Sequence, residues 1–361
     1  MINNSKSYSA KRVLITGGAG FIGSCFIKRL LKETEFEIFN LDKLSYCSNH
    51  DMNFDSTLKE RYNLVKYDLS KKDKIFKLID EIDPDLIFHF AAESHVDRSI
   101  TNPISFVENN ILGTLNLLEA SLSHYEKLST KRKNDFLFYH VSTDEVFGSL
   151  SNIGKFNENS KYDPSSPYSA SKASCDHLVQ TWFKTFGLPI IISNCSNNFG
   201  PFQFPEKLIP LSIINAINNK PINLYGDGSN IRDWLYVEDH IDAIFLCFSE
   251  GKIGETYCIG GNNEKSNLKV AQKICNLLDN KCPRKSSYSE LINFAEDRLG
   301  HDFRYAIDTS KIHNELGWVP KHNFEKALEI TLDWYLDNIS WCKNMMKNSN
   351  YFGQRLGFKR N

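Results

Sequence analysis

Nothing in this sequence concentrates charge of one sign. Its 361 residues carry 43 basic and 44 acidic side chains, a formal net charge of -1. That balance argues against nucleic acid or an anionic membrane as the main partner. No apolar run approaches the roughly 20 residues that span a bilayer, and the opening Met-Ile-Asn-Asn-Ser-Lys-Ser lacks the apolar core of a signal peptide. Metal-ligand spacing is missing as well. The nine cysteines (25, 47, 175, 195, 247, 258, 275, 282 and 342) are odd in number and form no Cys-x-x-Cys pair, and the ten histidines are scattered. Most of these thiols sit in apolar segments, where a reduced cysteine acts as a small hydrophobe. These absences argue against a disulfide framework or a metal site and predict a soluble, cytoplasmic protein. Internal repeats and low-complexity tracts are also absent.

What the sequence does have is rhythm. Short apolar runs at 12–16, 37–41, 62–66, 85–90, 136–141 and 188–193 read as buried strands. Amphipathic stretches at 21–32, 72–82, about 103–125 and 168–186 read as helices between them. Such alternation predicts an α/β fold, a Rossmann-like, doubly wound parallel sheet. After about Ser196 the rhythm loosens, and Pro, Gly and Asn become frequent. Helical pieces at 206–217 and 237–248 then alternate with isolated strands at 222–225 and 256–259. The expected organisation is a dinucleotide-binding domain over 10–195 and a smaller α/β substrate lobe over 196–340, with chain crossings between them. A tail over 341–361 is expected to be weakly ordered, although it contains Tyr351 and Phe352.

The first strand runs into Thr16-Gly17-Gly18-Ala19-Gly20-Phe21-Ile22-Gly23. Glycines between a strand and a helix let backbone N–H groups approach a pyrophosphate, with the helix N-terminus directed at the anion. The strand–helix setting makes this pattern stronger than glycines alone. Asp42 ends the second strand about 20 residues on, where a carboxylate accepts from the adenosine ribose and repels a 2′-phosphate. That favours NAD over NADP, although Lys43 follows directly. Asp68 follows the third strand, placed either to meet adenine or to cap a helix.

Tyr168 and Lys172 share one helix face, four residues apart. An ammonium beside a phenol, helped by a positive nicotinamide, lowers the phenol pKa, so that Tyr168 can accept a proton from a sugar hydroxyl. Thr143, at the end of strand five, can share that hydrogen bond. Asp144 and Glu145 follow it. Adjacent carboxylates are often solvated loop charge, but the carboxyl ends of parallel strands face the ligand crevice. Loss of water needs one acid and one base, roles that neighbouring carboxylates divide if one stays protonated.

With its glycine loop, the Tyr168/Lys172 pair and the strand order, the chain resembles the extended short-chain dehydrogenases/reductases. Leu41-Asp-Lys-Leu-Ser-Tyr46, Ala91-Ala-Glu-Ser-His-Val-Asp-Arg-Ser99, Ser142-Thr-Asp-Glu145, Ser166-Pro-Tyr-Ser-Ala-Ser-Lys172, Ser193-Asn-Cys-Ser-Asn-Asn198, Pro205-Glu-Lys-Leu-Ile-Pro210, Arg232-Asp-Trp-Leu-Tyr-Val-Glu-Asp239 and Asp297-Arg-Leu-Gly-His301 are similar, more narrowly, to the dTDP-glucose 4,6-dehydratase family. The resemblance implies oxidation of the sugar at C4, elimination of water across C5 and C6, and reduction at C6. Tyr168 would take the 4-hydroxyl proton, Glu145 the C5 proton, and Asp144 would protonate the departing 6-hydroxyl. NAD would be regenerated within the turnover.

The resemblance further implies cofactor contacts from Gly17, Gly20, Phe21, Ile22, Gly23, Asp42, Lys43, Ser45, Asp68, Leu69, Ala91, Ala92, Tyr168, Lys172 and Asn198. For the nucleotide sugar it implies Ser94, Thr143, Asn197, Glu206, Lys207, Leu208, Asn223, Tyr225, Arg232, Asn267, Arg298 and His301. Tyr351 is a weaker candidate for closing over the sugar. Three positions depart from the family pattern: Phe147 where tyrosine is usual, Asn109 where threonine is expected, and Ser45 in place of threonine. None removes a reacting group. A homodimer is expected, because the helices at 103–125 and 168–186 carry more apolar residues than one sheet face needs and the family commonly pairs through them. Competing readings are a UDP-glucose 4,6-dehydratase, a GDP-mannose dehydratase, a nucleotide-sugar 4-epimerase, which has no need of Asp144 and Glu145, and an NAD-binding regulator without turnover.

Overall fold

The computed structural model describes residues 12–49, 56–354 and 356–357. The opening at 1–7, the start of the expected first domain at 10 and the end of the tail at 358–361 lie outside the described residues.

The first half builds strands β1 (Arg12–Thr16), β2 (Glu37–Asp42), β3 (Tyr62–Lys66), β4 (Leu86–His89), β5 (Leu137–Thr143) and β6 (Ile190–Cys195). They are joined, further along the chain, by β10 (Thr256–Ile259), in the order β10-β6-β5-β4-β1-β2-β3, with every pairing parallel. Every residue of β4, β5 and β6 is buried. A parallel strand covered on both faces can hide its side chains only if they are apolar or hydrogen-bonded. One face packs Phe26, Phe88, Phe245 and Phe248; the other packs Ile79, Leu117, Phe138 and Val179. Each such side chain, fully buried, contributes about 1.5–3 kcal/mol.

The registers put the carboxyl ends level. Thr16 pairs with Leu41 on β2 and with His89 on β4, while Thr143 pairs with Cys195 on β6. Strand order reverses between β1 and β4, and the crevice outside such a switch point is where this architecture takes a ligand.

The second half adds β7 (Asn197–Phe199), β8 (Ile222–Tyr225), β9 (Ile231–Tyr236), β11 (Glu264–Ser266) and β12 (Ile292–Ala295). These form a three-stranded β11-β9-β7 sheet and a β12-β8 pair. Helices Leu208–Ile217, Asn267–Lys281 and Phe324–Asp337 pack with them around Phe199, Trp234, Phe324 and Tyr335. The chain also crosses back: helix Val237–Glu250 packs on the first sheet, with Phe245 and Phe26 rings 5.3 Å apart.

Three expectations are corrected. The strand at 256–259 is not isolated but forms the edge of the main sheet beside β6. The stretch at 103–125 is not one regular helix: Pro103–Phe106, a π-helical turn Val107–Leu112 and helix Gly113–Lys127 follow one another. From Trp341 the chain is not loose, since Ile339–Asn348 is helical and Cys342, Met345, Met346 and Tyr351 are buried. That helix packs an apolar face on the second core, which its own sparse apolar spacing does not announce. Among the described residues no helix is long and apolar enough to cross a membrane.

Candidate active site

The turn after β1 is tight for identifiable reasons. Gly17 has φ 71, where a side chain is strained, and a Cβ on it would lie 2.5 Å from the Ala91 nitrogen. A Cβ on Gly23 would lie 2.5 Å from the Gly17 carbonyl oxygen. Gly17 N–H donates to Leu41 O at 2.9 Å, locking the turn to β2. Gly20 caps helix Phe21–Glu33, whose first N–H groups open onto a cavity of about 290 Å³. Asp42 accepts from Ala19 N (3.0 Å) and Leu44 N (2.8 Å), which fix its carboxylate at the rim. A carboxylate offers about four acceptor positions, so capacity remains for a ribose hydroxyl. Burial pushes the Asp42 carboxyl up, opposed by these N–H groups.

All the residues expected around the cofactor line this cavity: Gly17, Gly20, Phe21, Ile22 and Gly23 from the turn; Asp42, Lys43 and Ser45 after β2; Asp68 and Leu69 after β3; Ala91 and Ala92 after β4; Tyr168, Lys172 and Asn198 at its inner end. The glycine turn, the helix N-terminus and the rim carboxylate fit a dinucleotide.

Helix Pro167–Phe186 carries the Tyr/Lys pair. Ser166 caps it, its hydroxyl accepting from Ser169 N at 3.0 Å, and Ser169 Oγ returns a bond from Ser166 N at 3.0 Å. Pro167 starts it with φ already suited to a helix. Lys172 Nζ donates to Val141 O (2.9 Å) and lies 3.3 Å from His140 Nε2. His140 Nε2 is in turn 3.2 Å from Asp176 Oδ1, and Asp176 Oδ2 accepts from Tyr162 OH and Asn194 Nδ2, each at 2.9 Å. Burial and the Lys172 ammonium bring the His140 imidazole down to about 4.

The protein's own groups do not lower the Tyr168 phenol. Burial, then the Glu145 carboxylate, push it well above its ordinary value, while a hydrogen bond from Thr143 works the other way. The Lys172 ammonium, directed at Val141 and His140, does not offset this.

Thr143 ends β5, and its hydroxyl accepts from Glu145 N at 3.3 Å, so the chain turns at once into the short helix Asp144–Phe147. Glu145 is where the first cavity meets a second, of about 360 Å³. Asp144 sits behind it, almost fully buried and lining neither cavity. The two carboxyls are treated differently. Burial pushes Asp144 well above its ordinary value, and the Glu145 and Asp233 carboxylates push it further. Burial also raises Glu145, but Arg298, Arg232 and Lys207 oppose the rise. The neighbourhood therefore favours a protonated Asp144 and a more readily ionised Glu145.

The second cavity gathers the residues expected around a nucleotide sugar: Ser94, Asn197, Glu206 and Lys207 at its junction with the first; Leu208 beside them; Asn223 and Tyr225 on β8; and Arg232, Asn267, Arg298 and His301 on the remaining wall. Thr143 lines the first cavity instead. Lys207 Nζ donates to Ser94 O at 2.8 Å. Arg232 is held by Ile231 O (2.8 Å) and Asp302 O (2.9 Å) and lies over the Tyr305 ring. His301 Nδ1 lies 2.6 Å from Asp297 Oδ1, while burial and the two arginines bring its imidazole down to about 4. Among the described residues Arg298 Nε and Asn197 Oδ1 are buried without a protein partner. Two cationic forks and an amide around one cavity suit a diphosphate.

The departures from the family pattern separate. Phe147 is a core residue, packed on Phe156 and Tyr162 with ring centroids 5.3 and 5.2 Å away. Ser45 and Asn109 line the first cavity. Sequence reasoning missed the His140–Asp176–Tyr162 network, because these residues are far apart in the chain and each has an ordinary place in its own element. It also missed Glu206's partners: Tyr46 OH at 2.7 Å and Arg98 Nε at 3.0 Å. Tyr46 and Arg98 lie inside the motif segments, which was the available signal.

Comparison with known proteins gives the family and the fold. A family model described as GDP-mannose 4,6 dehydratase matches residues 14–331. A dTDP-glucose 4,6-dehydratase of Salmonella typhimurium is 50% identical over 343 residues, 92% of this chain and 95% of that protein. One from Neisseria meningitidis is 47% identical over 352 residues, 96% and 99% of the two chains. The chain belongs to the dTDP-glucose 4,6-dehydratase family. Among solved structures, DesIV from Streptomyces venezuelae, a dTDP-glucose 4,6-dehydratase with NAD bound, has a TM-score of 0.83 and 37% identity, covering 92% of this chain and 99% of that one. The Bacillus anthracis member of the family, in complex with NAD, has a TM-score of 0.80 and 42% identity, covering 93% and 100%. The seven-stranded parallel sheet with flanking helices is thus the family's Rossmann-like fold.

Proposed function

We propose that this protein is an NAD-dependent hydro-lyase converting dTDP-glucose to dTDP-4-keto-6-deoxyglucose. The observation that carries the reading is the unequal pair beside Tyr168: Asp144 pushed far towards its neutral form, Glu145 held nearer ionisation by three cations. An epimerase has no use for such a pair. The names of the relatives from Salmonella and Neisseria support the choice of sugar nucleotide.

NAD, held by the Gly17–Gly23 turn and Asp42, would supply reversible hydride chemistry, serving as acceptor for the C4 hydride and as its donor at C6. Tyr168 takes the proton of the 4-hydroxyl, with Thr143 sharing the hydrogen bond and Lys172 supplying positive charge nearby. The ketone at C4 acidifies the C5 hydrogen, which Glu145 removes. Asp144, behind the cavity wall, supplies a proton to the 6-hydroxyl through the Thr143 hydroxyl, which lies 3.4 Å from Asp144 Oδ1 and lines the first cavity. The 6-hydroxyl leaves as water, and the proton Tyr168 took from O4 balances the one Asp144 gave up, returned through solvent. Glu145 returns its proton to C5. Arg232, Arg298, Asn267 and Lys207 hold the diphosphate, and Asp42 the adenosine ribose. The protein works as a homodimer in the cytoplasm. Ile104, Val107, Leu112 and Phe186, exposed on the helices at 103–127 and 167–186, support pairing, and nine unpaired thiols suit a reducing compartment. Purified protein given dTDP-glucose or UDP-glucose separately should form the 4-keto product faster from the thymidine nucleotide. Equal rates, or 4-epimer from either, would contradict the reading.

A further inference from the structure

Lys43 raises a question that the sequence leaves open. It directly follows Asp42, and a cation at the ribose rim is what welcomes a 2′-phosphate in dinucleotide sites. The fold answers by committing that cation elsewhere. Lys43 Nζ lies 2.5 Å from Glu93 Oε1 and 2.9 Å from Asn109 Oδ1. The pair is part-buried, with side-chain exposures of 32% and 14%, so it is less screened than a surface ion pair.

Both partners are themselves held. Glu93 N–H donates to Asn110 Oδ1 at 2.8 Å, and Glu93 O accepts from Asn110 Nδ2 at 3.0 Å. Asn110 Nδ2 also donates to Ser171 Oγ at 2.8 Å, tying the arrangement to the residue before Lys172. Asn109 Nδ2 donates to Ser105 O at 2.6 Å. Asn109 and Asn110 are neighbours in the π-helical turn Val107–Leu112, which turns one towards Lys43 and the other towards the Glu93 backbone. Lys43, Glu93 and Asn109 line the same cavity as Asp42.

We infer that Glu93, with Asn109, clamps Lys43 and thereby sets the site's preference for a dinucleotide without a 2′-phosphate. With Lys43 neutralised, the rim presents the Asp42 charge and, among the described residues, no free cation, so a dianionic phosphate there meets net repulsion. Without Glu93, Lys43 becomes the cation that such a phosphate needs. The threonine expected at position 109 lacks the reach of an amide oxygen, so Asn109 is a component of the clamp in this chain. The inference rests on the NAD reading above.

The test reads bound cofactor, not activity. Purified protein is exchanged against an equimolar mixture of NAD+ and NADP+, washed, and its bound dinucleotides are quantified by chromatography. Glu93→Gln should raise the NADP:NAD ratio by about tenfold or more, the scale of one freed, part-buried charge. Asn109→Thr, which leaves Glu93 in place and guards against a misfolded Glu93 variant, should raise it by about two- to threefold. Adding Lys43→Met to Glu93→Gln should return the ratio to that of the parent. An unchanged ratio in Glu93→Gln, or a gain that survives loss of Lys43, overturns the clamp while leaving the NAD reading intact. A parent that loads NADP as readily as NAD overturns both.

Discussion

At the scale of the residue, the account turns on two adjacent carboxyls that the fold treats unequally. The resemblance gives Asp144 and Glu145 different roles, but the sequence does not carry the cause of the difference, because Asp233, Arg232 and Arg298 reach them from distant segments. Titration follows from this. Glu145 acts as a base only when ionised, and Arg298 opposes the rise that burial imposes on it. Arg298→Met should move the acid limb of the kcat/KM profile to higher pH; an unmoved limb would show that another group governs it. Asp144 carries the opposite lesson. Its folded pKa is raised, so its contribution to stability is present below its unfolded value and is lost as pH rises towards the folded one. Asp144→Asn should therefore raise the melting temperature at neutral pH, on the order of 1–2 °C for a chain of this size, with the gain vanishing in acid, while turnover falls. Tyr168 shows what spacing does not carry: burial within the protein raises the phenol, so the lowering expected from Lys172 and a positive nicotinamide depends on the cofactor's charge.

At the scale of the element, β4, β5 and β6 were legible as largely apolar runs, as strands covered on both faces tend to be, while the edge strand β3, with no fully buried residue, was legible only from its short apolar stretch and its place in the alternation. Strand β9 was not, since Arg232 and Asp233 interrupt its apolar run as buried charged residues. Strand β11, Glu264–Ser266, is polar throughout. The π-helical turn at Val107–Leu112 is invisible to periodicity, which it disturbs over only six residues. Two elements make predictions. Ser166→Ala removes the side-chain acceptor of Ser169 N while leaving the Ser166 N–H bond to Ser169 Oγ, and should cost about 1 kcal/mol in denaturant unfolding, with turnover falling because the first helical turn carries Tyr168. Gly23→Ala would press a methyl group to 2.5 Å from a backbone oxygen, so the turn must shift and the purified protein should carry less bound NAD than the parent. Full NAD content in that variant would mean the turn tolerates more room than its geometry allows.

At the scale of the whole molecule, catalytic and nucleotide-binding groups meet because chain segments from both halves surround one crevice. The main sheet was readable strand by strand, whereas the crossing that returns Thr256–Ile259 to it was not, since an edge strand of four residues has no signal for its partner. Tyr351 is the clearest long-range contribution. It is buried against Phe204, with ring centroids 6.1 Å apart, and lines the second cavity. Tyr351→Ala should raise KM for the nucleotide sugar several-fold, the scale of a lost aromatic contact, with a smaller effect on kcat. The central claim, that Asp144 and Glu145 perform the elimination after Tyr168 has begun the oxidation, is tested most directly in the variant Asp144→Asn with Glu145→Gln. Given dTDP-glucose, it should reduce its bound cofactor, seen as an NADH absorbance signal, while 6-deoxy product forms slower by about 10²-fold or more. Formation of the 4-keto-6-deoxy sugar at the parent rate would contradict the account.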